Sequence, residues 1–415
     1  MEESLFSLPS SQKQVKKSAN QVSALINNLT TLAQLPTRFV VVTDTATLAL
    51  LGGVLIVLMI AWGVAWLMKR QPDTTVNPAL VQIFDRRVQA WLLMYVILAL
   101  SFILGRGATT FLFFCVSFFA LREFITITPT RLGDHRALFW VFFVFAPLQY
   151  LLIFAGPLVS GLDEILVGPG PYLHGLYSIL LPVYAFLFVF TRVALAGDSR
   201  RFLERTAKIQ AALLICVYAL SFAPALMYLD LHTYDGDVAQ ELERLRQIAD
   251  PSPDVKERIE EYSESGPWKR WEGSTAGLLF YFILIVQLAD MFQYVGSKML
   301  GGPPIAPDIS SSRTWRGFMF SIAMTALCAT GLWWVTPFTW YWSAAMSMVV
   351  STLAFAGGMT MSAIKRDRGV KDYGTLVEGH AGILDRIDSL CFAAPVFFHL
   401  TRYFYMILPL AQNGG

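Results

Sequence analysis

Two aspartates near the carboxyl end of the chain have the spacing of a site for a hard metal ion. Asp385 and Asp388 lie three residues apart in the segment DRID, so on a helix their carboxylates project from the same side. Carboxylate oxygens are the ligands that Mg²⁺ and Ca²⁺ prefer. Asp372, thirteen residues before Asp385, could reach the same ion from a loop. We therefore predict a metal site formed by these three aspartates.

The same stretch carries basic side chains that would neutralise phosphate groups. Residues 362–388 hold five basic and five acidic side chains and one histidine, directly beside long apolar runs. Single cations at a membrane edge usually anchor to lipid headgroups, but an anchor needs no acids. Alternating acids and bases instead fit a complex of Mg²⁺ with a nucleotide. The predicted phosphate contacts are Lys365, Arg366, Lys371 and Arg386, with Gly369, Gly374, Gly379 and Gly382 permitting close backbone approach.

The elements that must position these residues are membrane helices. The chain has 415 residues, of which 55% are hydrophobic and 15% are charged, and its mean hydropathy is +0.52. This exceeds what a soluble core requires and predicts an all-α, polytopic integral membrane protein. About ten apolar stretches are near the length of a transmembrane helix: 45–68, 88–104, 107–121, 137–155, 175–195, 209–228, 275–294, 317–334, 338–361 and 389–410.

The lysines and arginines are unevenly divided between alternate loops. Loops 69–87, 122–136, 192–208, 296–316 and 362–388 together hold 20, whereas the loops between them hold seven. Because cytoplasmic loops of membrane proteins are enriched in Lys and Arg, the first set is predicted to be cytoplasmic. The site at 362–388 would then face the cytoplasm of a bacterial inner (plasma) membrane.

Five regions follow from this pattern. Residues 1–44 are a polar segment with Leu25, Leu29 and Leu32 at the spacing of an amphipathic helix, although a frayed tail explains them equally well. Residues 45–87 supply an extra transmembrane helix and a cytoplasmic loop. Residues 88–228 form an N-terminal transmembrane bundle, and 275–415 form the catalytic bundle. Between the bundles, 229–274 is an acidic insertion with twelve acids and six bases, and we predict that it is a periplasmic helical cap.

The charged segment resembles a known signature. It reads S-x-I-K-R-x4-K-D-x-G-x5-H-x-G-I-x-D-R-I-D, which closely resembles the signature of the phosphatidate cytidylyltransferases, or CDP-diacylglycerol synthases. The chain departs from that pattern at Val377, Glu378 and Ala381. The matching positions are Ser362, Lys365, Arg366, Lys371, Asp372, Gly374, His380, Gly382, Asp385, Arg386 and Asp388.

Two further segments resemble the same family. ADMFQYVGSKMLGG supplies Asp290, Tyr294, Gly296 and Lys298 of a D-x-x-x-Y-x-x-G-K pattern. A carboxylate such as Asp290 at the end of an apolar segment is costly unless it is paired or metal-bound, which by itself favours a functional role. ISSSRTWRG is similar to a family loop through Ser310, Arg313, Thr314, Trp315 and Gly317, with Ser311 and Arg316 in place of Pro and Glu. FFALREF around Glu123 also looks family-like but is hardly diagnostic.

The resemblance implies transfer of CMP from CTP to phosphatidate, a membrane lipid. It implies no nucleic acid partner and leaves a homodimer open. The residues predicted to act in catalysis are Asp372, Asp385, Asp388, Lys371 and His380, with Mg²⁺ on the three aspartates and a second cation such as K⁺ left open. The residues predicted to bind the nucleotide or lipid phosphate are Ser362, Lys365, Arg366, Arg386, Asp290, Lys298, Arg313 and Thr314.

Three alternatives remain at this point. A related CTP-dependent enzyme, such as a lipid kinase or a synthase acting on another lipid phosphate, would keep the metal site. A transporter would also suit ten helices with embedded charges, although the ionisable residues cluster at one edge and no inverted repeat is evident. An inactive relative with a scaffold role is the third, because of the departures at Glu378, Ala381 and Arg316.

Overall fold

A computed structural model describes residues 44–70, 78–128, 130–155, 172–248, 252–265, 267–370, 373–374 and 382–408. The polar segment predicted for 1–44 therefore lies, except for its last residue, outside the described part of the chain. The same holds for three predicted site residues: Lys371, Asp372 and His380.

The described chain is almost entirely helical. We number the helices α1 (Thr45–Lys69), α2 (Pro78–Leu104), α3 (Arg106–Ile127), α4 (Leu132–Ala155), α5 (Gly175–Ala194), α6 (Phe202–Tyr228), α7 (Gly236–Arg246), α8 (Pro253–Ser265), α9 (Thr275–Leu300), α10 (Trp315–Gly331), α11 (Trp340–Asp367) and α12 (Leu384–Ile407). Four short strands are β1 (His232–Tyr234), β2 (Trp268–Arg270), β3 (Pro304–Ala306) and β4 (Ser310–Thr314).

This architecture confirms the predicted all-α membrane fold. Eight of the described helices are long and apolar enough to cross a membrane: α1, α3, α4, α5, α6, α9, α11 and α12. The two other apolar stretches also lie on helices. The apolar part of α2, Val88–Leu104, and α10, with 17 residues, are shorter.

The described parts of the five loops rich in Lys and Arg lie on one side of the molecule. The Arg131 guanidinium pairs with Asp198 at 2.7 Å, which joins the loop after α3 to the loop after α5. Arg366 at the end of α11 donates to the carbonyl oxygen of Ile309 between β3 and β4. On the opposite side, Thr47 at the start of α1 packs against Gly277 at the start of α9. The end of α1 and the start of α2, which are joined by the ion pair between Lys69 and Asp85, also lie on the basic side because each helix reverses the chain direction.

The C-terminal helices form the frame of the predicted site. α9 packs on α10, α10 on α11, and α11 on α12, while α3 and α6 pack on the other face of α12. The antiparallel pair β3 and β4 joins α9 to α10 on the basic side. The end of α11, the start of α12 and the hairpin are thereby held next to one another.

The acidic insertion lies on the side opposite these loops. Its two strands, β1 and β2, pair antiparallel with His232 opposite Arg270 and Tyr234 opposite Trp268. Helices α7 and α8 lie between the strands in sequence and pack together. Asp235 caps α7 by accepting from the amides of Asp237 and Val238. The run DVAQELERLRQIA is thus helical over most of its length, as its sequence predicts.

Candidate functional site

Lys365 and Asp385 form the ion pair that joins the last turn of α11 to the first turn of α12. The Lys365 ammonium lies 2.7 Å from Asp385 Oδ1, and the exposed fractions of the two side chains are 15% and 7%. Asp385 Oδ2 accepts from the backbone N–H of Tyr373 at 2.9 Å. Both oxygens of this carboxylate therefore already have protein donors, which hold the start of α12 against the chain leaving α11.

Tyr373 fixes the point at which the chain leaves α11. Its hydroxyl donates to the carbonyl oxygen of Met361 at 2.9 Å, and its ring stacks on Phe124 of α3. Burial, and then the neighbouring Asp385 carboxylate, raise the pKa of Tyr373 above its usual value. The phenol therefore stays neutral and keeps donating, so the backbone amide of Tyr373 remains directed at Asp385.

Asp388 and Asp290 are the two carboxylates that face each other across α12 and α9. Asp388 Oδ1 accepts from the backbone N–H of Ser389 at 2.7 Å and from its hydroxyl at 3.3 Å. The Ser389 side chain also lies beside the Asp290 carboxylate, and the two carboxylates are close enough to interact electrostatically. Both side chains are half-buried. Like charges held this closely away from bulk water need a compensating positive charge.

Arg313 supplies one such charge from β4. Its guanidinium donates to the carbonyl oxygen of Phe355 at 3.2 Å and lies 5.7 Å from the Phe355 ring centre. The group rests against the Cα of Gly358 on α11, where a β-carbon would overlap it. Arg313 acts electrostatically on both Asp290 and Asp388. The glycine at 358 thus gives the arginine the space it needs to face the two carboxylates.

The possible metal ligands at Asp388 and Asp290 are carboxylate oxygens, which suit a hard divalent cation. Mg²⁺ in nucleotide sites is typically held by one or two carboxylates together with substrate phosphates. Within the described ranges, no group of three His, Cys, Asp or Glu residues converges, and Asp372 lies outside those ranges. Asp388 and Asp290 are the described carboxylates whose mutual repulsion a bound cation would relieve, so the residues present fit the ion.

The remaining predicted residues have more varied surroundings. Ser362 donates to the carbonyl oxygen of Gly358 within α11. Arg366 and Lys298 are exposed at the ends of α11 and α9, and Arg386 is half-buried in the first turn of α12. Thr314 is the buried N-cap of α10. It accepts from the amide of Gly317 and donates to Ser297 of α9, so its described contacts are structural.

Glu123 on α3 is a site residue to which the sequence alone gives little weight. Its carboxylate is 4% exposed and accepts from the backbone amides of Ile383 and Leu384 at 3.0 and 2.9 Å. The available sequence signal is the same one that distinguishes Asp290, namely an acid at the end of an apolar segment.

The chain matches the model of one known protein family over most of its length. The chain belongs to the cytidylyltransferase family, whose model matches residues 85–404. This match covers more than half of the chain, and the resemblance found in the signature segment is confirmed. The protein is accordingly a nucleotidyltransferase enzyme embedded in a membrane.

Individual relatives are similar over different lengths. The chain is 28% identical over 322 residues to the uncharacterized protein YnbB of Escherichia coli K12, which covers 76% of this chain and 87% of that protein. It is 32% identical over 147 residues to a phosphatidate cytidylyltransferase of Rickettsia bellii, covering 34% of this chain and 61% of that enzyme. A phosphatidate cytidylyltransferase of Synechocystis is 32% identical over 150 residues, covering 35% of this chain and 50% of that enzyme. The chain thus spans less than two thirds of these two enzymes.

Proposed function

We propose that the protein transfers CMP from CTP to phosphatidate in an Mg²⁺-dependent reaction, giving CDP-diacylglycerol and pyrophosphate. The observation that carries the proposal is the pair of half-buried carboxylates, Asp290 and Asp388, beside Arg313 and Lys365. Metal-binding acids next to phosphate-binding cations are what a nucleotidyl transfer between two anions requires. Similarity to phosphatidate cytidylyltransferases over about a third of the chain supports phosphatidate as the acceptor.

The proposed reaction needs no nucleophilic side chain. An oxygen of the phosphatidate phosphate attacks the α-phosphorus of CTP and forms the new P–O bond. The bond from that phosphorus to the oxygen bridging to the β-phosphate breaks, and its electron pair leaves with pyrophosphate. The main barrier is the approach of two anions, so the protein's task is to hold them in line and neutralise their charge.

The residues divide this task between them. Lys365 and Arg313, with Lys371, Arg366 and Arg386, would bind the triphosphate or the lipid phosphate. Asp388, with Asp372 and Asp385 of the predicted site and with Asp290, would hold Mg²⁺. When bound, Mg²⁺ would neutralise charge developing on the transferring and leaving phosphates. His380 would contact a phosphate or orient a carboxylate.

We also propose that the site faces the cytoplasm of a bacterial inner membrane. The five loops with most of the lysines and arginines lie on the side of the site, and such loops are retained in the cytoplasm. CTP is available there, and the lipid would enter laterally between the helices.

Positional labelling of CTP tests the reaction type. The purified protein in detergent is incubated with phosphatidate and with CTP radiolabelled at either the α- or the γ-phosphate, with and without Mg²⁺. We expect label from the α-position in a lipid product only when Mg²⁺ is present, and label from the γ-position only in pyrophosphate.

Other outcomes identify the alternatives. Label entering the lipid from the γ-position alone would show a lipid kinase and refute cytidylyl transfer. Transfer of the α-label to a different lipid phosphate, but not to phosphatidate, would refute the acceptor while keeping the reaction type. Folded protein that labels no lipid phosphate would refute the proposed transfer to a lipid and favour a transporter or a scaffold.

A further inference from the structure

Glu123 is a buried acid of the N-terminal bundle that lies against the signature segment. Its two oxygens accept from the amides of Ile383 and Leu384, which begin α12. The first amides of a helix have no carbonyl partner inside it, so they need an outside acceptor. A carboxylate is a favoured acceptor there, because its charge also interacts with the positive end of the helix dipole.

Two glycines of the signature segment surround the same carboxylate. A β-carbon on Gly382 would lie 2.5 Å from Glu123 Oε2 and 2.9 Å from the backbone nitrogen of Gly374. A β-carbon on Gly374 would lie 3.0 Å from Glu123 Oε1. Residues 374 and 382 therefore meet at Glu123, and a β-carbon on Gly382 would overlap both the Glu123 carboxylate and the backbone of Gly374. Gly374 and Gly382 are thereby held at one side chain.

We propose that Glu123 is a positioning residue of the reaction site, which makes the N-terminal bundle part of the catalytic apparatus. Glu123 fixes the start of α12, and Asp385 follows Leu384 directly in that helix, with Asp388 one turn later. It also contacts Gly374 and Gly382, the nearest described residues before and after His380 in the sequence. The inference rests on the proposed function for its kinetic consequences, but its structural content is independent of the substrate.

Replacing Glu123 with glutamine tests the two hydrogen bonds that its carboxylate accepts from the start of α12. Glu123→Gln preserves the size of the side chain but replaces one acceptor oxygen with an NH₂ group, so one helix amide loses its partner. Glu123→Asp keeps both oxygens and the charge on a shorter side chain. The matched control is Glu204→Gln, also an acid of the N-terminal bundle on the basic side, which is 44% exposed and pairs with Lys208.

Two measurements on the full-length protein in detergent test the proposal. In the labelled-CTP assay, we expect Glu123→Gln to lower kcat about 10- to 100-fold through misplacement of the aspartates, with a smaller change in KM for CTP. Glu123→Asp should recover part of kcat, and Glu204→Gln should match the wild type. Hydrogen–deuterium exchange should become faster in a peptide covering 382–390 of Glu123→Gln, with the other helices unchanged.

Several results would overturn the proposal. Unchanged kcat together with unchanged exchange at 382–390 would show that the contact does not position the site. Exchange that rises evenly across all helices, with activity falling only as folded protein is lost, would assign Glu123 to overall folding alone. If Glu123→Gln does not fold, Gly382→Ala tests the same contact from the other side, and a wild-type kcat for that variant would also refute the proposal.

The two proposals fail in different ways. If the wild-type protein transfers no label to lipid, the proposed function is wrong, while the exchange experiment still decides whether Glu123 holds the start of α12. If the wild type is active and Glu123→Gln is equally active with unchanged exchange, the positioning role is wrong and the function stands.

Discussion

The ion pair between Lys365 and Asp385 is predicted to be a main link between α11 and α12. The two groups are 2.7 Å apart and mostly buried, and Asp385 also accepts from the amide of Tyr373. Lys365→Met would leave the Asp385 carboxylate with the Tyr373 amide but no cation. Asp385→Asn would leave the lysine ammonium mostly buried beside a neutral amide. Each change should therefore destabilise the folded protein.

The size of the effect follows from the distance. Two unit charges 2.7 Å apart attract by about 6 kcal/mol at an effective dielectric constant of about 20. Couplings measured between residues in contact are smaller, about 0.5–3 kcal/mol, and we expect this mostly buried pair to lie at the upper end, about 2–3 kcal/mol. The exposed fraction of each side chain is well below one third, so solvent screening reduces this value little.

A double-mutant cycle measures the coupling directly. The free energy of unfolding is obtained by SDS titration in mixed micelles for the wild type, Lys365→Met, Asp385→Asn and the double variant. The control cycle uses Arg270 and Asp230, a pair 2.9 Å apart in the acidic insertion whose side chains are both exposed, for which we expect at most about 1 kcal/mol. Additive effects of the two single substitutions at Lys365 and Asp385 would refute the pairing and the linkage that we derive from it.

Two further predictions concern a contact of Arg313 in the candidate site and a buried ion pair of the N-terminal bundle. Gly358→Ala places a β-carbon on the Arg313 guanidinium, so we expect at least about tenfold slower transfer from CTP at a nearly unchanged melting temperature. The control is Gly331→Ala, where the β-carbon meets open space. Equal transfer rates for the two variants would contradict the role of Arg313. Asp134→Asn removes the carboxylate 2.6 Å from the buried Arg205 guanidinium. In this variant Arg205 still has the Asp198 carboxylate 3.1 Å away. We therefore expect the free energy of unfolding, measured by SDS titration, to fall by about 3 kcal/mol, the lower limit for breaking a buried ion pair. A change below about 1 kcal/mol, the range of exposed pairs, would show that this pair contributes little.

The fold class was predictable because a bilayer imposes length and composition on each helix. Ten apolar stretches were identified from the sequence, and each lies on a helix in the described structure. The distribution of Lys and Arg also grouped the five loops that meet on one side. Short spacing also placed Asp385 and Asp388 one turn apart at the start of one helix, α12, while their metal-binding role stays a prediction.

The contacts of the site were not predictable, because they join residues far apart in the chain. Nothing in the spacing indicates that Lys365 pairs with Asp385, or that Asp290 of α9 faces Asp388 of α12. Glu123 accepts from an amide 260 residues later, and only the packing of α3 on α12 brings the two together. The position of the Arg313 guanidinium likewise depends on a residue of another element, because it needs the space that Gly358 of α11 leaves open.

The central claim is that the carboxylates at the start of α12 act in nucleotidyl transfer. The most direct test is Mg²⁺-dependent transfer of the α-phosphate label from CTP to phosphatidate by the wild type, by Asp388→Asn and by Asp367→Asn. Asp367 is an exposed acid at the end of α11 that pairs with Arg368, so its variant is the matched control. We expect Asp367→Asn to match the wild type and Asp388→Asn to be at least about 100-fold slower while remaining folded. Wild-type transfer by Asp388→Asn would contradict the claim.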